Sequence, residues 1–160
     1  MPPPASRPKR MRELVPQPSH TWFFALRPST EDAAHIHAFA EELLASHGIS
    51  GSRIEPERLH VTLELVGHDV NETVLDAACH AADMVHLLPI EARFDTACTF
   101  SAPGGPFVLM GSEGLNEVRN LRTSLGCALA DEGFTPRRAY EPHMTLCYDR
   151  RKHVARAPIA

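Results

Sequence analysis

Residues 58–67 read Arg58-Leu59-His60-Val61-Thr62-Leu63-Glu64-Leu65-Val66-Gly67, and from His60 onward polar and apolar side chains alternate. A period of two marks a strand with one face on a core. His60 and Thr62 then project to one side, while Val61, Leu63 and Leu65 turn to the core. The pattern returns in Tyr140-Glu141-Pro142-His143-Met144-Thr145-Leu146-Cys147-Tyr148. His-apolar-Thr-apolar thus occurs twice, once in each half of the chain. Chance would produce one such tetrad in roughly one chain of this composition in ten, and two in under about one in a hundred.

Working outward, Trp22 to Leu26 is a short apolar run stopped by Pro28, which reads as a buried strand. Ser29 with Asp32 forms a capping box for a helix to about His47, with Gly48 as its stop. Asn71 caps a second helix that ends before Pro89. Ile90 to Phe100 alternates as a strand, Pro103-Gly104-Gly105-Pro106 is a turn, and Phe107 to Met110 is a strand. Residues 113–131 form a helix striped by Leu115, Val118, Leu121, Leu125 and Leu129. The order β-α-β-α, then β-β-α-β, predicts an α+β fold. It is read as two pseudo-symmetric lobes, each an antiparallel sheet with helices outside, around a central cleft. The expected organisation is a disordered Pro-rich basic tail over 1–20, one domain over 21–150 with lobes of about 21–88 and 89–150, and a basic tail over 151–160.

Composition narrows the function. The chain has 160 residues and a formal net charge of −4, which argues against coating long nucleic acid but allows a site for one phosphate. No signal peptide and no apolar run of membrane-spanning length is visible, so a cytoplasmic place is expected. Cys79, Cys98, Cys127 and Cys147 form no C-x-x-C pair and read as free thiols. The ten histidines lack zinc spacing. His35 and His37, two apart on a helix, point to different sides. No metal or other cofactor is expected.

Two imidazoles and two hydroxyls on neighbouring strands suit one task. Opening a phosphodiester needs one imidazole to take a proton from the attacking oxygen and another to give one to the leaving oxygen. The hydroxyls of Thr62 and Thr145 can donate to the non-bridging oxygens. An unperturbed imidazole pKa near 6.5 serves both proton roles, and predicts a bell-shaped pH profile.

With these motifs, the sequence resembles the two-histidine (2H) phosphoesterase superfamily, and within it the LigT-like RNA 2′,3′-cyclic phosphodiesterases, also called 2′-5′ RNA ligases. The resemblance runs from Trp22 to about Arg150 and includes Trp22–Pro28, residues 58–67 and Tyr140–Leu146. It implies hydrolysis of RNA 2′,3′-cyclic phosphate ends to 2′-phosphates, with 2′-5′ ligation as the reverse chemistry. His60 and His143 would be catalytic, and Thr62 and Thr145 would bind phosphate. Many relatives carry an arginine two residues beyond the leucine of the second motif; here that position is Tyr148, and the nearest arginine is Arg150. Relatives also continue into another strand, which is expected here to be short or missing.

Arg137, Arg138 and Tyr140 precede the second motif. Arg138, Tyr140 and Arg150 are candidate substrate contacts, through phosphate and base stacking. By parity Glu64 shares the face of His60, where it reads as a solvated strand end, and Cys147 shares the face of His143 as a small packing residue. The expected partners are RNA 3′ ends or small nucleotides, with no membrane, no obligatory protein partner and a monomeric state. Two alternatives stand beside the RNA reading. One is a phosphodiesterase for a small nucleotide, such as an ADP-ribose cyclic phosphate or a 2′-5′ oligoadenylate. The other is a non-catalytic module that holds RNA ends.

Overall fold

The helix-end signals are met by hydrogen bonds in the computed structural model, which describes residues 19–100 and 104–159. Ser29 Oγ accepts from the Asp32 amide at 3.0 Å and starts α1 (Thr30–Ser46). Gly48, at φ +64°, ends it. The Gly48 amide donates to the Ala45 carbonyl and the Ile49 amide to the Leu44 carbonyl, a Schellman closure that needs the left-handed residue glycine adopts freely. Asn71 Oδ1 accepts from the Val74 amide at 3.0 Å and starts α2 (Glu72–Asp83). The predicted third helix begins with one 3-10 turn, Glu113–Leu115, before α3 (Asn116–Asp131).

The strands are β1 (Thr21–Leu26), β2 (Ser52–Arg53), β3 (Val61–His68), β4 (Thr96–Thr99), β5 (Pro106–Met110), β6 (His143–Tyr148) and β7 (Ala157–Pro158). They form one antiparallel sheet in the order β1-β3-β6-β5-β4-β7, with β2 beside β6. Three helices against an open antiparallel sheet make this the expected α+β architecture. Ala40 and Leu44 of α1, Ala78 of α2 and Leu125 of α3 share one buried cluster with Val61, Leu109 and Met144 of the sheet. The other face carries a smaller cluster of Cys98, Val108 and Met110, with Phe100 packed on it. The helices therefore line one face and leave the other open. No helix among the described residues is long and apolar enough to cross a membrane.

The predicted strand from Ile90 to Phe100 is corrected to Thr96–Thr99. β4 pairs with β5 from Thr96 opposite Met110. Residues before Thr96 would need partners after Met110, where the chain turns into the 3-10 segment, so the ladder runs out. Beyond the strand, Phe100 keeps one further bond, to the Pro106 carbonyl. Residues 101–103, which include Pro103 of the predicted turn, and residues 1–18 of the expected tail lie outside the described residues. The amides of Ser19 and His20 both donate to the Asp69 carboxylate, at 3.0 and 2.8 Å. After β6, the chain ends on β4: Ala97 lies opposite Ala157 and Thr96 opposite Pro158.

Candidate active site

β3 and β6 meet through one residue pair, Val61 opposite Met144. Both side chains are buried in the helix-side core. Carried one residue each way, the antiparallel register sets His60 level with Thr145 and Thr62 level with His143. These four half-buried side chains therefore project together from the open face. Diagonal neighbours across such a pair sit about 7–8 Å apart. His60 and His143 stand in that relation across the Val61–Met144 pair.

Both imidazoles are oriented in the same way. His60 Nδ1 lies 2.7 Å from the Arg58 carbonyl, and His143 Nδ1 lies 2.9 Å from the Glu141 carbonyl. A carbonyl only accepts, so Nδ1 carries the proton in each ring. Each Nε2 is then an acceptor in the neutral ring and a donor in the charged one. Buried Leu59 and Pro142 precede the two histidines and anchor the bends that turn these carbonyls back. The Glu141 carboxylate is engaged elsewhere, with Arg119 and Arg156. Each ring also has an aromatic neighbour. Phe23 lies 5.3 Å from His60, tilted by 37°, and Phe100 stacks on His143 at 4.1 Å and 23°.

Parity beyond each threonine fails, and for one reason. β1 pairs Ala25 with Thr62 but Phe24 with Glu64, so Leu63 is an extra residue. β5 pairs Val108 with Thr145 but Phe107 with Cys147, so Leu146 is an extra residue. A bulge of one residue inverts the alternation that follows it. Glu64 and Cys147 therefore turn away from the histidines toward the helices. Cys147 lies in the main core, where burial pushes its thiol pKa up, in keeping with a packing role. Glu64 is buried, not solvated. It pairs with Arg122 of α3 and accepts from the Arg137 amide at 3.3 Å.

Arg122 also donates to the Arg137 carbonyl and lies 5.3 Å over the Tyr140 ring. The Tyr140 hydroxyl donates to the Thr62 carbonyl at 2.8 Å. Burial pushes that hydroxyl's pKa up to about 12, against the opposite pull of Arg122, so at neutral pH it remains a donor. This network ties the loop before the second motif to the strand of the first. Arg138 is exposed in that loop, and Arg150 is exposed in the turn after β6.

Several of these features are hidden in the sequence. Phe100 and His143 are distant in the chain, and Arg122 interrupts no pattern on its helix. Phe23 sits in a run read as a buried strand, yet it is 43% exposed and lies beside His60. A cavity of about 850 Å³ does not contain the histidines. It lies on the helix side, lined by Ile36, Val61, Leu88, Phe94 and Met144 among others. The candidate site is singled out by the convergence of these four side chains, not by cavity size. Among the described residues no group of three His, Cys, Asp or Glu could hold a metal ion, and the four cysteines are free.

Several solved structures share this fold. E. coli LigT complexed with ATP aligns with a TM-score of 0.66 at 21% identity, over 90% of this chain and 80% of that one. A phosphoesterase aligns at 0.63 and 22%, over 90% and 80%. The PDE domain of MHV ns2 aligns at 0.53 and 16%, over 89% and 92%. No curated protein matches the sequence. Residues 28–159 match the 2′-5′ RNA ligase superfamily, so the family expected from the paired motifs is the right one. The chain belongs to the 2′-5′ RNA ligase superfamily.

Proposed function

We propose that this protein hydrolyses the 2′,3′-cyclic phosphate at an RNA 3′ end and leaves a 2′-phosphate. The observation that carries the reading is the pair of imidazoles across the Val61–Met144 bridge, each with Nδ1 bound to a carbonyl and Nε2 free for proton transfer. His143 Nε2 takes a proton from water as its oxygen bonds to phosphorus. The bond from phosphorus to O3′ breaks, and His60 Nε2 gives that oxygen its proton. One water is added, and exchange with solvent restores both rings. The Thr62 and Thr145 hydroxyls donate to the non-bridging oxygens, where a positioned donor aids the transition state. The mechanism requires no cation. Arg138 and Arg150 are further substrate contacts.

A second reading, turnover of a small nucleotide, is supported by the ATP and 3′-AMP complexes of E. coli LigT. The same four side chains would serve it. The test is an oligonucleotide with a 2′,3′-cyclic end, run beside ADP-ribose cyclic phosphate and a 2′-5′ oligoadenylate, with products resolved by phosphorus NMR. The expected product is the RNA 2′-phosphate. A 3′-phosphate would overturn the assignment of O3′ as leaving group. An untouched RNA end with a consumed nucleotide would replace the substrate, and binding without any turnover would reduce the protein to an RNA-end module.

A further inference from the structure

β6 continues past Thr145 to a residue with no role in the chemistry above. Tyr148 lies opposite Pro106 of β5 and Ser52 of β2, while Cys147 before it lies opposite Phe107 and Arg53. Cys147 and Phe107 belong to the helix-side core, and Arg53 reaches Glu41 of α1 on that same side. Tyr148 therefore faces the open side, with Thr145 and His143. The bulge at Leu146 is what puts it there, since uninterrupted alternation from Thr145 would turn it inward. It is 54% exposed, unusual for a tyrosine on a strand flanked on both sides. At about 3.3 Å per residue it lies roughly 10 Å along the strand from Thr145.

Tyr148 borders an open concavity of about 440 Å³, lined also by Ser50, Gly51, Ser52, Asp149, Arg150 and Arg151. Its shape is built, not accidental. The Asp149 carboxylate accepts from the Ser50 amide at 3.1 Å and the Arg151 amide at 2.9 Å, and these bonds hold its pKa below the usual carboxylate range. Asp149 is buried, so its charge is spent on the two amides. Any side chain at Gly51 would strike the Tyr148 carbonyl, since a Cβ there would lie 2.0 Å from it. The two backbones are thus clamped together. Arg150 and Arg151 are exposed, and neither guanidinium pairs with a carboxylate among the described residues.

An exposed aromatic face beside two unpaired guanidiniums is how single strands are gripped: the ring stacks on a base of any identity and the cations follow the phosphates. We propose that Tyr148, with Arg150 and Arg151, forms a subsite for the nucleotide on the 5′ side of the reacting end, its base on the tyrosine ring and its linking phosphate on the arginines. This rests on the reading of His60 and His143 as the reactive pair, and it deepens that reading by favouring an oligonucleotide over a mononucleotide.

The test compares kcat/KM for a short oligonucleotide with a 2′,3′-cyclic end against that for a 2′,3′-cyclic mononucleotide. Tyr148→Ala is expected to lower the ratio by roughly 5- to 150-fold, the usual loss of one stacked base. Tyr148→Phe keeps the ring and should keep the ratio. Arg150→Ala with Arg151→Ala should lower it and flatten its dependence on salt. A ratio unchanged within twofold in Tyr148→Ala would overturn the subsite and leave the two-histidine reading intact. If wild type turns over neither substrate, that reading fails. Fluorescence anisotropy with a labelled trinucleotide then decides the subsite alone: equal affinity of wild type and Tyr148→Ala removes it, and weaker binding by the variant retains it.

Discussion

The two His-x-Thr strands are built alike as far as the threonine and differ directly after it. In both, the imidazole is bound through Nδ1 to the carbonyl two residues back. In both, a bulge follows the threonine and turns the next polar position toward the helices. On β3 that position is Glu64, which meets Arg122 and the loop that leads into β6. On β6 it is Cys147, which fills a gap in the core. The difference follows from the neighbours. β6 is flanked by β5 along its length, with β2 and β3 on its other edge, and needs no further brace. β3 touches β6 at a single pair, so its placement against the second motif depends on the Glu64–Arg122–Tyr140 network. The second motif has strands along both edges, whereas the first pairs along its length with β1 and meets the second through one bridge and the buried ion pair.

The largest effects should treat the motifs as equals. His60→Ala and His143→Ala are each expected to reduce kcat by about 10² to 10⁴, the usual worth of a positioned acid or base. Thr62→Ala and Thr145→Ala are expected to lose about 10- to 100-fold, the cost of about 1.5–3 kcal/mol for a donor to a charged oxygen. Steady-state rates on the cyclic oligonucleotide check both. A tenfold imbalance between the two threonines would break the equivalence of the motifs.

Stability should separate them. Arg122→Met leaves Glu64 buried without its partner, and breaking such a pair costs about 3–5 kcal/mol. Cys147→Ala removes one small apolar group and should cost about 1 kcal/mol, as for other single-group deletions in a core. The double variant Glu64→Leu with Arg122→Met removes both charges and should recover most of the loss. Urea midpoints at equal slope measure all three. Arg122 Nε has no hydrogen-bond partner, so the pair is not ideally satisfied, and the double variant could exceed wild type. A double variant no better than Arg122→Met would show that the network's value lies in packing.

What was legible in the sequence follows the range of the interactions involved. The caps at Ser29 and Asn71 and the stop at Gly48 are local, and the same residues make the observed bonds. The motif strands were readable because alternation over His60–Thr62 and His143–Thr145 survives in the structure. Alternation misled at Glu64 and Cys147 because a bulge depends on how the partner strand pairs, which no residue of β3 or β6 announces. It misled at Ile90–Asp95 because β5 turns away at Gly111, a fact about another segment. Phe100 beside His143 and Arg122 beside Glu64 are contacts between distant elements and carried no local signal.

The smallest expected effect bears most directly on how the two motifs are coupled. Tyr140 stands between two roles, a ring that stacks on substrate and a hydroxyl that braces Thr62. Its ring already faces the Arg122 guanidinium at 5.3 Å, and its hydroxyl is bound to the Thr62 carbonyl at 2.8 Å. Tyr140→Phe keeps the ring and removes only that bond, at a cost of about 0.5–1.5 kcal/mol. A brace for Thr62 acts on the geometry of reaction more than on binding, so kcat should fall several-fold with KM unchanged. Because the effect passes through Thr62, it should not add to that of Thr62→Ala, and the double variant should be little slower than Thr62→Ala alone. It should add fully to Thr145→Ala, whose strand is held by the sheet. A raised KM in Tyr140→Leu with no change in Tyr140→Phe would assign the residue to substrate stacking. Additivity with Thr62→Ala would remove Tyr140 as the link between the motifs.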